Sequence, residues 1–201
     1  MIVSLHRVQI VVKDVSKIKN NTIMKQSTFW SDASRCGAVI GLVNIALSAL
    51  SMLMPKLSFI LGLANMVITI YLLFYYSRRR AQLFSQEGFS YGQALGFMLA
   101  TGIFTGILVG AYQIVAVNWL FTEQFEATYD QLLATMSQMG TSGADMDSIM
   151  EMYHAMLFSP MPVLLTQIFG SVLGHGFYGL FIAIGVKREP DLFDAEEDDE
   201  E

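Results

Sequence analysis

The sequence has little charge and one cysteine. Only 15% of its 201 residues are Asp, Glu, Lys or Arg, whereas an ordinary soluble domain carries about 25%. The cysteine, Cys36, excludes a disulfide within the chain and a metal site built from cysteines alone. Long segments contain no charged residue, and the mean hydropathy is +0.46. This distribution indicates a chain that lies in a lipid bilayer.

Four segments are long and apolar enough to cross a bilayer, for which a helix needs about 20 mainly apolar residues. They are residues 36–54, 57–76, 92–121 and 161–186. None contains Asp, Glu, Lys or Arg. A soluble helical bundle would need a charged outer face on its helices, which these segments lack. We therefore predict an all-α integral membrane protein with four transmembrane helices.

Basic residues flank the predicted spans unevenly. Those that follow the second and fourth spans are Arg78, Arg79, Arg80, Lys187 and Arg188. Residues 122–160 contain neither Lys nor Arg. Since Lys and Arg near span ends are retained in the cytoplasm, we predict two cytoplasmic termini. The basic residues are interpreted as topology anchors, and a second interpretation is that they bind anionic lipid headgroups.

The segment 122–160 is too long for a simple connector and has helical spacing. Its apolar residues from Phe125 to Met139 fall on one side of a helix, and those from Met146 to Leu157 do the same. The residues 140–143 contain glycines and separate the two runs. We predict an extracytoplasmic helical hairpin between spans three and four, on the membrane surface or over the bundle. Ser142 or Asp145 is the predicted cap of its second helix.

Methionines are frequent in this loop, and thioethers suit Cu(I). They lack a tight, repeated spacing, and His154 is the only histidine nearby. Methionine is also a common gap-filler of adaptable apolar surfaces. We therefore predict no metal site and no cofactor.

The two ends differ from the centre in composition, so we divide the chain into residues 1–28, 29–188 and 189–201. The first part is predicted to be a cytoplasmic arm, in which VQIVV could form a short strand and Met24 could be the true start. The second is the membrane domain. The third is a block of acidic charge, which is predicted to be disordered and solvated.

Polar residues within the spans are the candidates for a ligand site or a path. His175 is the only side chain there with a near-neutral ordinary pKa, and an ionisable residue in a span is by default a functional hypothesis. Asn44, Asn65 and Gln113 could line a path with it. The alternative is structural, with a neutral His175 hydrogen-bonded to one of these amides as a link between helices.

Small residues recur every four positions in three of the spans. This spacing lets helix backbones approach closely. The glycines assigned to helix packing are Gly37, Gly41, Gly92, Gly96, Gly102, Gly106, Gly110, Gly170 and Gly174. Because the third span carries two such rows, we predict that it lies centrally and packs against two neighbours. The spacing does not show whether one of these neighbours belongs to a second copy of the chain.

The segments FSYGQALGFMLATGIFTGILVGAYQIV and GFYGLFIAIGVKREP, with Gly37 and Gly41 before them, resemble domain-of-unknown-function family 4199. The resemblance covers residues 29–188. It implies a four-span bacterial inner-membrane protein, found mainly in Bacteroidota. It implies no established activity and no catalytic residues.

No phosphate-binding loop, nucleophile elbow or zinc-protease His-Glu motif occurs in the sequence. We therefore predict a protein that is not an enzyme and that does not bind nucleic acid. The leading hypothesis is an accessory or assembly subunit that acts through helix packing and its outer hairpin. Its expected partners are membrane lipids and either a second copy of the chain or another membrane protein. The alternative is a small homo-oligomeric transporter or channel, with His175, Asn44, Asn65 and Gln113 lining the path.

Overall fold

The computed structural model describes residues 2–84, 88–138 and 144–189, with side chains described for 28–84, 88–136, 138 and 148–189. The helices are α1 (Ile2–Leu53), α2 (Ser58–Gln82), α3 (Tyr91–Val115), α4 (Thr122–Gln138), α5 (Ala144–Phe158) and α6 (Pro160–Val186). No strand occurs in these ranges, which confirms the all-α prediction. VQIVV lies within α1, so its interpretation as a strand is wrong.

Four helical stretches of the described chain are long and apolar enough to cross a membrane. They are Thr28–Leu53, Pro55–Gln82, Tyr91–Leu120 and Pro160–Val186. Each of them overlaps one of the four predicted spans, which confirms a multi-pass membrane architecture. The first span begins eight residues earlier than predicted, at Thr28. The second span ends later than predicted, because α2 continues through Arg78–Arg80 to Gln82. Arginine is a good helix former, so the helix does not end where the apolar run does.

Local sequence features mark the ends of several of these helices. Pro55 begins the single 3₁₀ turn that joins α1 to α2. At the start of α3, the Ser90 hydroxyl accepts a hydrogen bond from the Gln93 backbone N–H, and the Gln93 side chain accepts one from the Ser90 N–H. This capping box satisfies two backbone donors that a helix start leaves open. At the other end, α3 passes into a π-helical turn, Ala116–Leu120.

Helix α3 is central and packs against α6 and α1. A Cβ added at Gly106 would lie 2.6 Å from the Cα of Ile168, so the backbones of α3 and α6 are in direct contact there. On either side, a Cβ added at Gly102 would lie 3.0 Å from the Cα of Val172, and one at Gly110 would lie 2.8 Å from Cδ1 of Leu164, both on α6. On α1, a Cβ added at Gly37 would lie 2.8 Å from the carbonyl oxygen of Thr101. These glycines let three helices approach more closely than any side chain would allow.

The other predicted glycine rows are open within one chain. An added Cβ at Gly92, Gly96, Gly170 or Gly174 would have no heavy atom of another residue within 4 Å. None of them brings two helices of this chain together. Their role in packing stays a prediction, limited to contacts with another chain.

The apolar core lies at one end of the bundle, where the last turns of α2 carry Arg78–Arg80; we call this the arginine end. Its fully buried side chains include Ile40 of α1, Leu73 of α2, Phe97 and Met98 of α3, and Ala183 of α6. All four spanning helices therefore join at the arginine end through apolar contacts.

Helices α4 and α5 contact each other beside the opposite end of the bundle. The Tyr129 hydroxyl of α4 donates to the carbonyl oxygen of Met150 of α5 at 3.3 Å. The predicted apolar face of α4 is half-buried from Phe125 to Met136, but most of the predicted face of α5 is exposed. The predicted break at 140–143, with Met139 and the cap Ser142, lies outside the described residues, as do the side chains of Asp145 and Met146 and the tail 190–201.

Candidate functional site

A polar cavity of about 460 Å³, partly open to the outside of the bundle, lies between α1, α2, α3 and α6. On each of these helices its lining residues lie farther from the arginine end than the core residues do. The structure brings Asn44, Asn65, Gln113 and His175 together in its wall. None of the described residues that line it is Asp, Glu, Lys or Arg. We call this space the polar cavity.

Sequence analysis missed six polar residues of this wall. They are Ser48, Thr69, Thr105, Gln167, Ser171 and Tyr178. Most lie four or eight residues from one of the residues that sequence analysis selected, for example Ser48 after Asn44 and Thr69 after Asn65. Residues four apart share one face of a helix, so this spacing was an available signal.

His175 is held by its own helix and by α3. It is 4% exposed, and its Nδ1 lies 2.8 Å from the carbonyl oxygen of Ser171. Since a carbonyl oxygen only accepts, Nδ1 carries a proton and donates it. The other ring nitrogen, Nε2, lies 3.5 Å from Oγ1 of Thr105. His175 thus has no hydrogen bond to Asn44, Asn65 or Gln113, and its interpretation as a link to these amides is wrong.

The hydroxyl of Thr105 is already committed, because it donates to the carbonyl oxygen of Gly37 at 3.2 Å. In a similar way the Thr69 hydroxyl donates to Oδ1 of Asn44 at 3.2 Å. By contrast, Oδ1 of Asn65 is buried and has no hydrogen-bond partner. The wall of the polar cavity therefore combines fixed groups with acceptors that have no donor of their own.

At the arginine end, Arg80 is turned inward. Its Nη1 lies 2.6 Å from Oδ2 of Asp32 on α1, and its side chain is 5% exposed. The rings of Phe29, Phe84 and Phe97 lie 5.0, 5.5 and 5.4 Å from its guanidinium carbon. Contacts of this kind with aromatic rings stabilise a cation. This ion pair joins α1 to α2.

The basic residues assigned as anchors therefore fall into two groups. Arg80 is buried in the ion pair. It therefore does not face lipid headgroups, which was the second interpretation given to it in the sequence analysis. Arg78, Arg79, Lys187 and Arg188 are exposed and remain candidates for that role. Sequence analysis also missed Asp32, although it is an acid close to the first span and at the same end of the bundle as the arginines.

Four membrane-spanning helices around a polar cavity place this chain among multi-pass integral membrane proteins. Residues 35–188 match the family model described as "Protein of unknown function (DUF4199)", and the chain belongs to this family. The match confirms the resemblance found in the sequence. No curated protein and no solved structure matches the chain. Among the described residues, no group of three or more His, Cys, Asp or Glu could hold a metal ion.

Proposed function

We propose that this protein binds a small polar solute in the polar cavity and passes it across the membrane. The observation that carries the proposal is the convergence of polar side chains from four apolar helices on one cavity. Polar side chains within a membrane are costly unless they have polar partners, and in transporters they mark the substrate path. A polar solute would provide such partners. Transport of a solute was the alternative hypothesis in the sequence analysis, and it requires no enzymatic chemistry.

The inner face of α2 supports a route from the cavity toward the arginine end. Thr69 lines the cavity, and Leu73, Ser77 and Arg80 are buried along the same helix below it. Oγ of Ser77 is fully buried and has no hydrogen-bond partner. Leu73 lies in the apolar core, so a solute would leave the cavity only if α2 moved away from the core. We propose Leu73 as the barrier of this route.

A cavity-filling variant tests the proposal. Gly174 lines the polar cavity, and a Cβ there would meet no other atom within 4 Å. Gly174→Leu is therefore expected to project into the cavity and narrow it without disturbing the fold, and to reduce solute flux into proteoliposomes toward the protein-free background. Gly170→Leu is the control, because Gly170 is one turn away, is equally open and does not line the cavity. Equal flux in the two variants would contradict the proposal.

A second candidate is the accessory subunit favoured by the sequence analysis. It is supported by the exposed apolar side chains of α5, among them Ile149, Met152, Tyr153 and Met156, because contiguous exposed apolar surface marks protein or membrane contacts. Native mass spectrometry of gently extracted protein separates the candidates. A stoichiometric second polypeptide, together with no flux by the protein alone, would favour the subunit, whereas a homo-oligomer with flux would favour transport.

For the location we propose a bacterial inner membrane with the arginine end and both termini in the cytoplasm and α4 and α5 outside. The exposed Arg78, Arg79, Lys187 and Arg188 at the arginine end support this orientation, since basic residues near span ends are retained inside.

Cysteine labelling in intact spheroplasts tests this orientation. The native Cys36 is fully buried, so it should give little background with an impermeant thiol reagent. We expect Ser142→Cys to react and Arg79→Cys to react only after the membrane is opened. The reverse pattern would overturn the orientation.

A further inference from the structure

The polar cavity also restricts the chemistry of its solute, and the restriction rests on the proposed function above. Its described wall contains no charged side chain. An ion in a low-dielectric site is costly unless an opposite charge or several fixed dipoles balance it. With no carboxylate in the described wall, the imidazole of His175 is also assigned as neutral. The electrostatics of the wall therefore favour a neutral solute.

The hydrogen bonds of His175 determine which of its ring nitrogens can accept a hydrogen bond from a solute. Because Nδ1 donates to the carbonyl oxygen of Ser171, a neutral ring has its lone pair on Nε2. The nearest polar group to Nε2 is the Thr105 hydroxyl at 3.5 Å, and its single proton goes to the carbonyl oxygen of Gly37. The protein thus supplies no donor to Nε2. A solute in the cavity can supply one.

Asn65 provides a second acceptor of the same kind. Its Oδ1 is buried without a partner, and Asn65 lines the cavity from α2, whereas His175 lines it from α6. Rotation of the Asn65 side chain would turn this oxygen toward a solute. Buried polar groups in native proteins are nearly always hydrogen-bonded. Two acceptors without donors on different walls therefore indicate an occupant that donates in two directions.

The size of the cavity agrees with a small molecule. Pockets that enclose organic ligands measure about 300–1,000 Å³, and the polar cavity measures about 460 Å³. We infer that its solute is a small, neutral molecule with several hydroxyl or amide N–H donors, and that two of these donors bind Nε2 of His175 and Oδ1 of Asn65.

Urea and guanidinium are suitable probes because they share a planar shape and N–H donors but differ in charge. Wild-type protein in proteoliposomes is expected to pass urea and glycerol faster than protein-free liposomes do, and to leave guanidinium at the background rate. Tetramethylurea, which has no N–H, is expected not to slow urea flux when it is added on both sides. Guanidinium flux equal to urea flux, or inhibition by tetramethylurea, would overturn the inference.

Variants of the two acceptors test the binding groups. His175→Phe and Asn65→Leu keep side-chain bulk but remove the acceptor, and each is expected to lower urea flux about tenfold, as the loss of one hydrogen bond in the path would. His154→Phe is the control, because His154 stacks on Phe158 of α5 and does not line the polar cavity. Protection of Cys36 from thiol reagents shows that each variant is folded.

The results separate the inference from the proposed function. If both acceptor variants keep full urea flux while Gly174→Leu abolishes it, the inference is wrong and the transport proposal stands. If wild-type protein passes charged solutes but not urea or glycerol, the inference is also wrong. If no solute passes above background, both fail, and the polar cavity is a water-filled packing defect.

Discussion

Replacing Gly106 with alanine is expected to destabilise the protein more than the same change at any open glycine of the chain. The added Cβ would lie 2.6 Å from the Cα of Ile168 and 2.9 Å from the carbonyl oxygen of Gln167. Both are backbone atoms, so no side chain can rotate away and α3 must separate from α6. Overpacking of this kind costs about 1–3 kcal/mol, and about 2–4 °C is lost per kcal/mol in a chain of this length. Gly106→Leu is expected to give no folded protein.

The matched control for this prediction is Gly170→Ala on the facing helix α6. A Cβ at Gly170 would meet nothing within 4 Å, while the gain in helix propensity is the same for both changes. Thermal unfolding can be followed through the reactivity of Cys36, which is fully buried on α1. Equal midpoints for the two alanine variants would show that α3 and α6 do not touch at Gly106.

Replacing Asp32 with alanine is expected to have the second-largest effect. The change removes the carboxylate that balances the guanidinium of Arg80, which is 5% exposed and surrounded by aromatic rings. Breaking a buried ion pair by removing one partner costs about 3–5 kcal/mol. Because the Asp32 side chain is 33% exposed, solvent screens part of this cost, and we expect about 2–3 kcal/mol. The same thermal unfolding assay measures it.

A double variant separates the loss of the pair from the burial of a lone charge. Apolar replacement of both partners of a buried ion pair is often nearly neutral, so Asp32→Leu combined with Arg80→Met is expected to be more stable than Asp32→Ala alone. Arg79→Ala serves as the control, because Arg79 is exposed, and it should change the unfolding midpoint little. Asp32→Leu and Arg80→Met are also measured singly. If the double variant loses as much unfolding free energy as the two single variants together, the pair is not a coupled unit.

The arginine cluster shows what the sequence could and could not predict. The four spans follow from composition, because uncharged apolar runs of this length are typical of membrane-spanning helices and rare elsewhere. Successive helical residues, however, point about 100° apart, so Arg78, Arg79 and Arg80 face three directions. Which of them turns inward depends on how α2 is rotated against α1, and this rotation is set by packing. The partner Asp32, 48 positions away, could therefore not be assigned from spacing.

The candidate site was predictable to a similar degree. Polar residues in membrane helices turn away from lipid, which explains why Asn44, Asn65, Gln113 and His175, selected from sequence alone, share one cavity. Their hydrogen bonds were not predictable, since these depend on rotamers and on side chains from other helices. The glycine rows carry the same lesson: Gly102 and Gly106 meet α6, but Gly92 and Gly96, with the same spacing, meet nothing. A row of small residues permits close helix contact, but the sequence does not show which of several such rows the fold uses.

The uncharged wall of the polar cavity has an electrical consequence. A membrane potential of 100 mV is worth about 2.3 kcal/mol for each elementary charge that crosses it. None of the described residues that line the cavity is charged, so a neutral solute moving with these side chains would carry no current. Its rate should be the same in energised and de-energised vesicles. The voltage across the membrane would then do no work on this step, and the concentration gradient of the solute alone would set the direction.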